Sequence, residues 1–419
     1  MRKHLFFLTA MISSLWAQTV TMQECIEKTL YSHPDIKTFM LEVSKSEQNY
    51  QLARSAYLPH IDFEAEYDFR RTFALPQNGK FRTVEEGGWQ AGVALRQKVW
   101  DFSKTTSLIH SADLQKDIAR LSVEEAKNLM IYRVESLYET VVIQKEIIRV
   151  RKKDMQAKKE LYEQAEAFVE QGLKTTSDST RFLSAFYAAK DALGAAESSY
   201  MKTIATLSLY TAEQIDFEAE FENNLLTEVK DLEKNRKKLK QEMLENNIQL
   251  KIYDKTIQKD TLLHRSAKAA HYGSIDAVAS YTRFDTLNAY DTGVVGVTLN
   301  IPIYTGSQIS AQEQISRIET AAAKEAKASK SLALSEELEG LIIDLAQYKN
   351  TLQAKHAQLE ASLSTKKLLE ARYKEGLSTY IEVLDAMSSY LSSKLEILEA
   401  YYGIAMAQNR IKYLTGVQK

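Results

Sequence analysis

Two acids three residues apart, Glu382 and Asp385, follow a potential helix-breaking glycine, Gly376. At that spacing they share one helix face. Asp178 and Arg181 stand at the same positions after Gly172. Such a face offers fixed charge and makes no bonds. No His-x-x-x-His, Gly-x-Ser-x-Gly or phosphate-loop pattern accompanies it. The seven histidines are scattered, with His264 and His271 the nearest pair, and Cys25 is the only cysteine, so no intrachain disulfide forms. Carboxylates are expected in number on charged helices. We therefore expect no enzyme activity, no cofactor and no metal. The formal net charge of −2 suggests no nucleic-acid partner.

The elements that must carry these residues begin with an export signal. Met1-Arg2-Lys3-His4 is a basic start, Leu5 to Leu15 is an apolar run of signal length, and Leu15-Trp16-Ala17 suits cleavage. Residues 1–17 are expected to be a signal peptide; the run is too short for a membrane anchor, which needs ~20 residues. No later stretch has the ~18 apolar residues of a transmembrane helix. If this exported chain spans a membrane, it must use strands.

The chain is written twice. Gly92-Val93-Ala94-Leu95 recurs as Gly296-Val297-Thr298-Leu299, and Gly172-Leu173 as Gly376-Leu377. Ile61-Asp62 and Tyr67 match Ile275-Asp276 and Tyr281 at a slightly larger offset, so one length change falls between the strands. We assign it to a longer loop in the first copy, about Arg70 to Gly88. The expected organisation is a first repeat over 18–212, an acidic linker over 213–235 and a second repeat over 236–419. Each repeat reads helix, strand, strand, long helix, long helix.

In the first strand Ile61, Phe63, Ala65, Tyr67 and Phe69 alternate with Asp62, Glu64, Glu66, Asp68 and Arg70, the period of a two-faced strand. In the last, Val295, Val297, Leu299, Ile301 and Ile303 oppose Thr298 and Asn300. Four strands of roughly 11 residues approach the ~9–11 that cross a bilayer when tilted. Tyr281, Tyr290, Phe69, Phe73 and Trp89 near the strand ends are candidates for an interfacial aromatic girdle. A soluble sandwich would also alternate, but its strands would not come as two hairpins separated by long helices.

Ser307 to Glu375 holds no proline and one glycine, Gly340; Ser103 to Gln171 holds neither. At 1.5 Å per residue, either would make a helix of ~100 Å. The return helices step by threes and fours, through Phe182, Phe186, Ala189, Leu193, Ala196, Tyr200 and Leu207, and through Leu384, Ser388, Leu391, Leu395, Leu398, Tyr402 and Ala405. This is the coiled-coil period. Four strands cannot close a barrel by themselves, and an open edge in lipid would leave backbone groups unsatisfied. Copies must pool their strands. The alternative is an exported, elongated coiled-coil protein, structural or adaptor in role, without a pore.

With Arg372-Tyr373-Lys374-Glu375-Gly376, Glu382-Val383-Leu384-Asp385-Ala386 and Leu414-Thr415-Gly416 in the second half, and His33-Pro34-Asp35-Ile36, Leu58-Pro59 and Ile303-Tyr304-Thr305-Gly306 elsewhere, the chain resembles the TolC family of outer-membrane efflux proteins over nearly its whole mature length. The resemblance implies a mainly helical homotrimer with a 12-stranded β-barrel in the outer membrane and a helical tunnel through the periplasm of a Gram-negative bacterium. It implies a passive exit duct for efflux or type I secretion, contacting outer-membrane lipid, a periplasmic adaptor and an inner-membrane transporter. It places Glu382 and Asp385 at a periplasmic constriction, six carboxylates in three chains, with Asp178 nearby. Such a ring favours cations. It makes Gly172 and Gly376 the turns of the hairpins and Tyr373 part of a latch. The family arginine two residues after the second turn glycine is here Ser378.

Overall fold

In the computed structural model of the protein the described residues are 19–75, 79–223, 235–286 and 288–416. The expected signal peptide lies outside them, as do Pro76 to Asn78 and the middle of the linker. The chain is mainly helical with one four-stranded antiparallel sheet, and one order of elements occurs twice. First come α1 (Met22–Ser32), α2 (Pro34–Ser55), β1 (His60–Ala74), β2 (Arg82–Trp100), α3 (Lys104–Glu170) and α4 (Thr176–Thr211). Then come α5 (Arg236–Asn246), α6 (Ile248–Ala269), β3 (Ser274–Asp285), β4 (Ala289–Asn300), α7 (Gln308–Lys374) and α8 (Tyr380–Thr415). No described helix is long and apolar enough to cross a membrane.

The copies match helix for helix: α1 and α5 have 11 residues, α2 and α6 22, α3 and α7 67, α4 and α8 36. The leading helix of each copy, expected as one, is two. Pro34 opens α2, where its missing N–H costs nothing. In the second copy Asn247 makes the break, its buried side-chain amide donating to the Leu414 carbonyl at 3.0 Å.

The residues cluster into two compact units, and helices α3 and α7 contribute to both. One unit holds the sheet, in the order β1-β2-β3-β4. Residues directly opposite across a sheet share a face. One face therefore carries the row Phe63, Val93, Tyr281, Gly293 and the row Ile61, Leu95, Ala279, Val295. It is left bare: Phe63 is 73 % exposed and Val297 71 %. The other face carries Asp62, Glu64 and Glu66, with Gln90 donating to Glu66 at 2.6 Å.

The segment expected as a loop, Arg70 to Gly88, is mostly strand. β3 ends at Asp285 opposite Trp89, and the β1–β2 ribbon runs on to Ala74 opposite Arg82. Arg71 faces Glu85 across the ribbon at 2.9 Å, and Phe73 stacks on Phe81 at 5.8 Å. The length difference between the copies thus lies mostly in strand. Ile301 and Ile303, expected in the last strand, fall outside β4, which ends two residues before Pro302; proline cannot donate to a ladder. Of the girdle candidates, Tyr290 sits on the polar face, stacked on Phe284 at 4.7 Å.

The other unit is a helical bundle. α4 buries Phe182, Ala189, Leu193, Tyr200 and Leu207, as its period predicts. α8 buries Leu398 and Ala405 of the expected stripe and, beside it, Val383, Met387, Ile397, Ile404, Ile411 and Leu414, while Ser388 is exposed. Apolar residues nearly surround α8, so two registers fit its sequence. The start of the linker is strapped to this bundle. The Tyr138 hydroxyl donates to the Val20 and Glu222 carbonyls at 2.8 and 3.2 Å, and Phe221 packs edge-on to its ring. Lys145 pairs with Glu220 at 2.9 Å.

Gly403 of α8 shows how closely α7 approaches. A Cβ there would lie 2.6 Å from two ring atoms of Tyr348. Overpacking costs about 1–3 kcal/mol, against roughly 1 kcal/mol regained in helix propensity. Gly403→Ala is expected to lower the melting temperature, and Tyr348→Val in the same chain to cost less than the sum of the two single changes.

Candidate functional site

The sequence placed its charged candidates after two turns, and both turns lie in the helical bundle. α3 and α7 each end in the same hydrogen-bonded motif. Gly172 (φ 71°) donates to Val169 at 2.9 Å while Leu173 donates to Phe168 at 2.9 Å. Gly376 (φ 78°) donates to Tyr373 at 3.0 Å while Leu377 donates to Arg372 at 2.8 Å. This is the Schellman closure, which satisfies the orphan carbonyls and needs a left-handed residue at its centre. A side chain there costs ~1–2 kcal/mol. Both glycines are therefore fixed by backbone geometry.

Each turn then starts a helix with a threonine cap. Thr379 caps α8: the Glu382 N–H donates to its hydroxyl at 3.3 Å. The Glu382 carboxylate accepts from the Thr379 N–H at 2.7 Å and from its hydroxyl at 3.0 Å. These bonds hold the Glu382 carboxyl below the usual carboxylate range. In the first copy the Asp178 carboxylate accepts from the Thr175 N–H at 3.3 Å. Both acids are thus the third residue of a helix, returning a bond to its cap. The Thr-x-x-Glu spelling of Thr379 to Glu382 is the sequence signal for this role, and the expectations above passed over it.

Asp385 lies one turn further into α8 and is exposed, with no hydrogen bond or ion pair to another described residue. It is the uncommitted acid of the pair. Arg181 is exposed and has no acid partner among the described residues.

Tyr373 is fully buried, in a cluster with Leu161 and Ala165 of α3, Phe182 of α4, and Val383 and Met387 of α8. Phe182 meets its ring edge-on at 5.4 Å. Its hydroxyl has no hydrogen-bond partner among the described residues, and burial pushes it up to about 12. The Lys174 ammonium lies 4.8 Å from the ring centroid. Lys174 occupies, after the first turn, the position Ser378 holds after the second. Ser378 is buried and donates to the Leu369 carbonyl at 3.0 Å. The cation at this turn thus comes from the first copy, and nothing in the spacing of the second copy signalled it. No group of three or more potential metal ligands occurs among the described residues.

A family model described as outer membrane efflux protein matches residues 25–213 and 239–417. The outer membrane efflux protein BepC of Brucella suis biovar 1 (strain 1330) is 21% identical over 421 residues, covering 96% of this chain and 86% of its own. The crystal structure of the outer membrane protein VceC from Vibrio cholerae superposes with a TM-score of 0.84 at 13% identity, over 94% of this chain and 96% of that one. The open state of the Neisseria gonorrhoeae MtrE outer membrane channel superposes with a TM-score of 0.80 at 16% identity, over 94% and 88%.

Acid tests the cap. The Glu382 carboxyl is lowered from the ordinary 4.5, so its contribution is present above that value and lost as pH falls through the lower, folded one. Protection of the amides at the start of α8, corrected for the intrinsic pH dependence of exchange, is expected to fall at acid pH in the wild type. In Glu382→Gln, which carries no titrating carboxyl, it should change little on acidification. Gly376→Ala is expected to destabilise the turn by ~1–2 kcal/mol, read from the melting temperature.

Proposed function

The chain belongs to the outer membrane efflux protein family, and from that premise we propose that copies of it close one duct, narrowed at the turns after α3 and α7. It is an outer-membrane efflux channel that reaches into the periplasm. Its relatives are channels, and the reading asks no bond-making of it. We take residues 18–212 and 236–419 as copies of one ancestral unit, joined by 213–235.

The bare apolar face of the sheet carries the assembly part of this reading. β1 and β4 are edge strands of a four-stranded sheet, and a sheet edge cannot end in lipid. Three copies supply 12 strands, enough for a closed barrel. The polar face, with Asp62, Glu64 and Glu66, would then line a wet lumen. The partners in this reading are two further copies, outer-membrane lipid, a periplasmic adaptor and an inner-membrane transporter.

At the narrow end, Asp385 is the acid free to face permeant ions, and Glu382 stands beside it with its charge tied to the cap of α8. Three copies would bring six carboxylates together, with Asp178 of the first turn close by. Tyr373, Gly172 and Gly376 hold the turns that set the diameter.

Single-channel recording in a planar bilayer tests the reading. A cation-selective pore is expected. Asp385→Ala should reduce its selectivity by about fivefold, the bias of one unit charge ~4 Å away in water. Glu382→Ala should reduce selectivity and also loosen the turn. A pore indifferent to both changes places the constriction elsewhere. Folded, membrane-extracted protein that forms no pore sinks the reading. Unheated protein should also run in detergent gels as an assembly that separates on boiling.

A further inference from the structure

The channel reading leaves unused a polar seam where α3 meets α8. Along it Lys412 pairs with Glu135 at 2.5 Å. One turn later on α3, Glu139 accepts from the Asn409 side-chain amide at 2.7 Å. Thr140 and Tyr402 bring their hydroxyls within 3.3 Å. Glu135 is almost completely buried, and Glu139 is partly so.

The seam has one charge too many. Glu135 and Glu139 lie four apart on one face of α3, and the ammonium of Lys412 stands against Glu135. Arg410, the next cation along α8, is turned away; it binds Glu337 of α7 at 2.5 Å and lies over the rings of Tyr132 and Tyr413. On the linker side of α3, Lys145 and Glu220 neutralise each other. Among the described residues Asn409, which is neutral, is the hydrogen-bond partner of the Glu139 side chain, and no cation pairs with it. One buried and one partly buried carboxylate facing a single ammonium are costly unless one of them takes up a proton.

We propose that Glu139 is a proton-operated contact: neutral, it lets the α3–α8 seam close, and ionised, it sets two carboxylates against one ammonium and loosens α8. Burial, with a smaller push from Glu135, raises its carboxyl to about 7 against an opposing pull from Asn409 and Lys412. The transition thus falls where the medium around an exported protein varies. α8 is one helix from Tyr380 to Thr415, so the seam grips the helix that begins with Glu382 and Asp385. The seam stands without the pore reading; only its effect on conductance needs it.

The sign follows from linkage. Between the ordinary 4.5 and about 7, the folded chain keeps a proton that the unfolded chain has shed. Stability falls as pH rises across that window and levels off above it. The test compares melting temperatures of assembled wild type and Glu139→Gln, whose amide can accept the Asn409 bond at every pH. The advantage of Glu139→Gln over wild type is expected to grow from pH 4.5 to 7 and then stay constant. Glu135→Gln should shift the window to lower pH, because it removes the like charge and releases Lys412. A difference between Glu139→Gln and wild type that is constant across pH overturns the proposal.

Should the variants fail to assemble, the wild type answers alone. Amide exchange in 132–142 and 402–413, corrected for the intrinsic pH dependence, should lose protection with a midpoint near pH 7, while 200–207 of α4, around Ile204, does not. Equal behaviour of the two regions overturns it. Conductance that rises through the same midpoint in wild type, and not in Glu139→Gln, would tie the seam to the gate. A pore whose conductance ignores pH while the melting difference persists would keep the proton site but separate it from gating.

Discussion

A β-sheet with an apolar face and two unpaired edges cannot stop in lipid, and the rest of this chain answers that constraint. Every N–H and C=O on the outer edges of β1 and β4 needs a partner, and hydrocarbon offers none. The chain supplies four strands, too few to curl on themselves, so its solution must be collective. The helices inherit the same symmetry. In the proposed duct, copies of α3, α4, α7 and α8 would lie side by side and cover the apolar residues of α8 that the single chain leaves only partly covered.

The bundle is held by different means at different levels. At the turns, backbone geometry dominates: two left-handed glycines, two threonine caps, and an apolar knot around Tyr373. Near the linker, an apolar core around Cys25, Val134, Tyr138 and Ile204 is tied down by main-chain carbonyls. At the level of that core, on another face of α3, the α3–α8 seam is polar, and its charges do not balance. Polar seams are costly, but they fix register where small apolar residues allow sliding. A seam whose charge turns on one proton, as proposed for Glu139, would fix register conditionally.

Most of the architecture was legible because its signals are steric. Gly172 and Gly376 stand out because a Schellman turn centres on a left-handed residue, a conformation glycine adopts without strain, and the alternation from Ile61 to Phe69 because a strand with two unlike faces repeats every second residue. The misreadings share a cause: a local pattern with two solutions. Arg71 and Glu85 look like loop residues until they are seen as a cross-strand pair. The apolar positions of α8 admit two heptad registers, and its neighbours bury residues of both. The break between α5 and α6 has no proline to announce it, because Asn247 does the work through a carbonyl far away in sequence. Glu382 was singled out for its charge, although its spacing from Thr379 also spells a cap. Lys174 and Glu139 owe their interest to partners on other helices, which no spacing within one segment reveals.

The two copies agree to the residue in every helix and disagree in their strands. That asymmetry constrains how such a chain changes over time. An insertion in α3 alone would displace one of its two turns relative to the other, so helix length drifts only if both copies drift together. The β1–β2 ribbon beyond Trp89 answers to no twin. It is the part of the molecule where residues can be gained, lost or exchanged without breaking the match between the helices, and where an engineered epitope or fused peptide would leave them undisturbed.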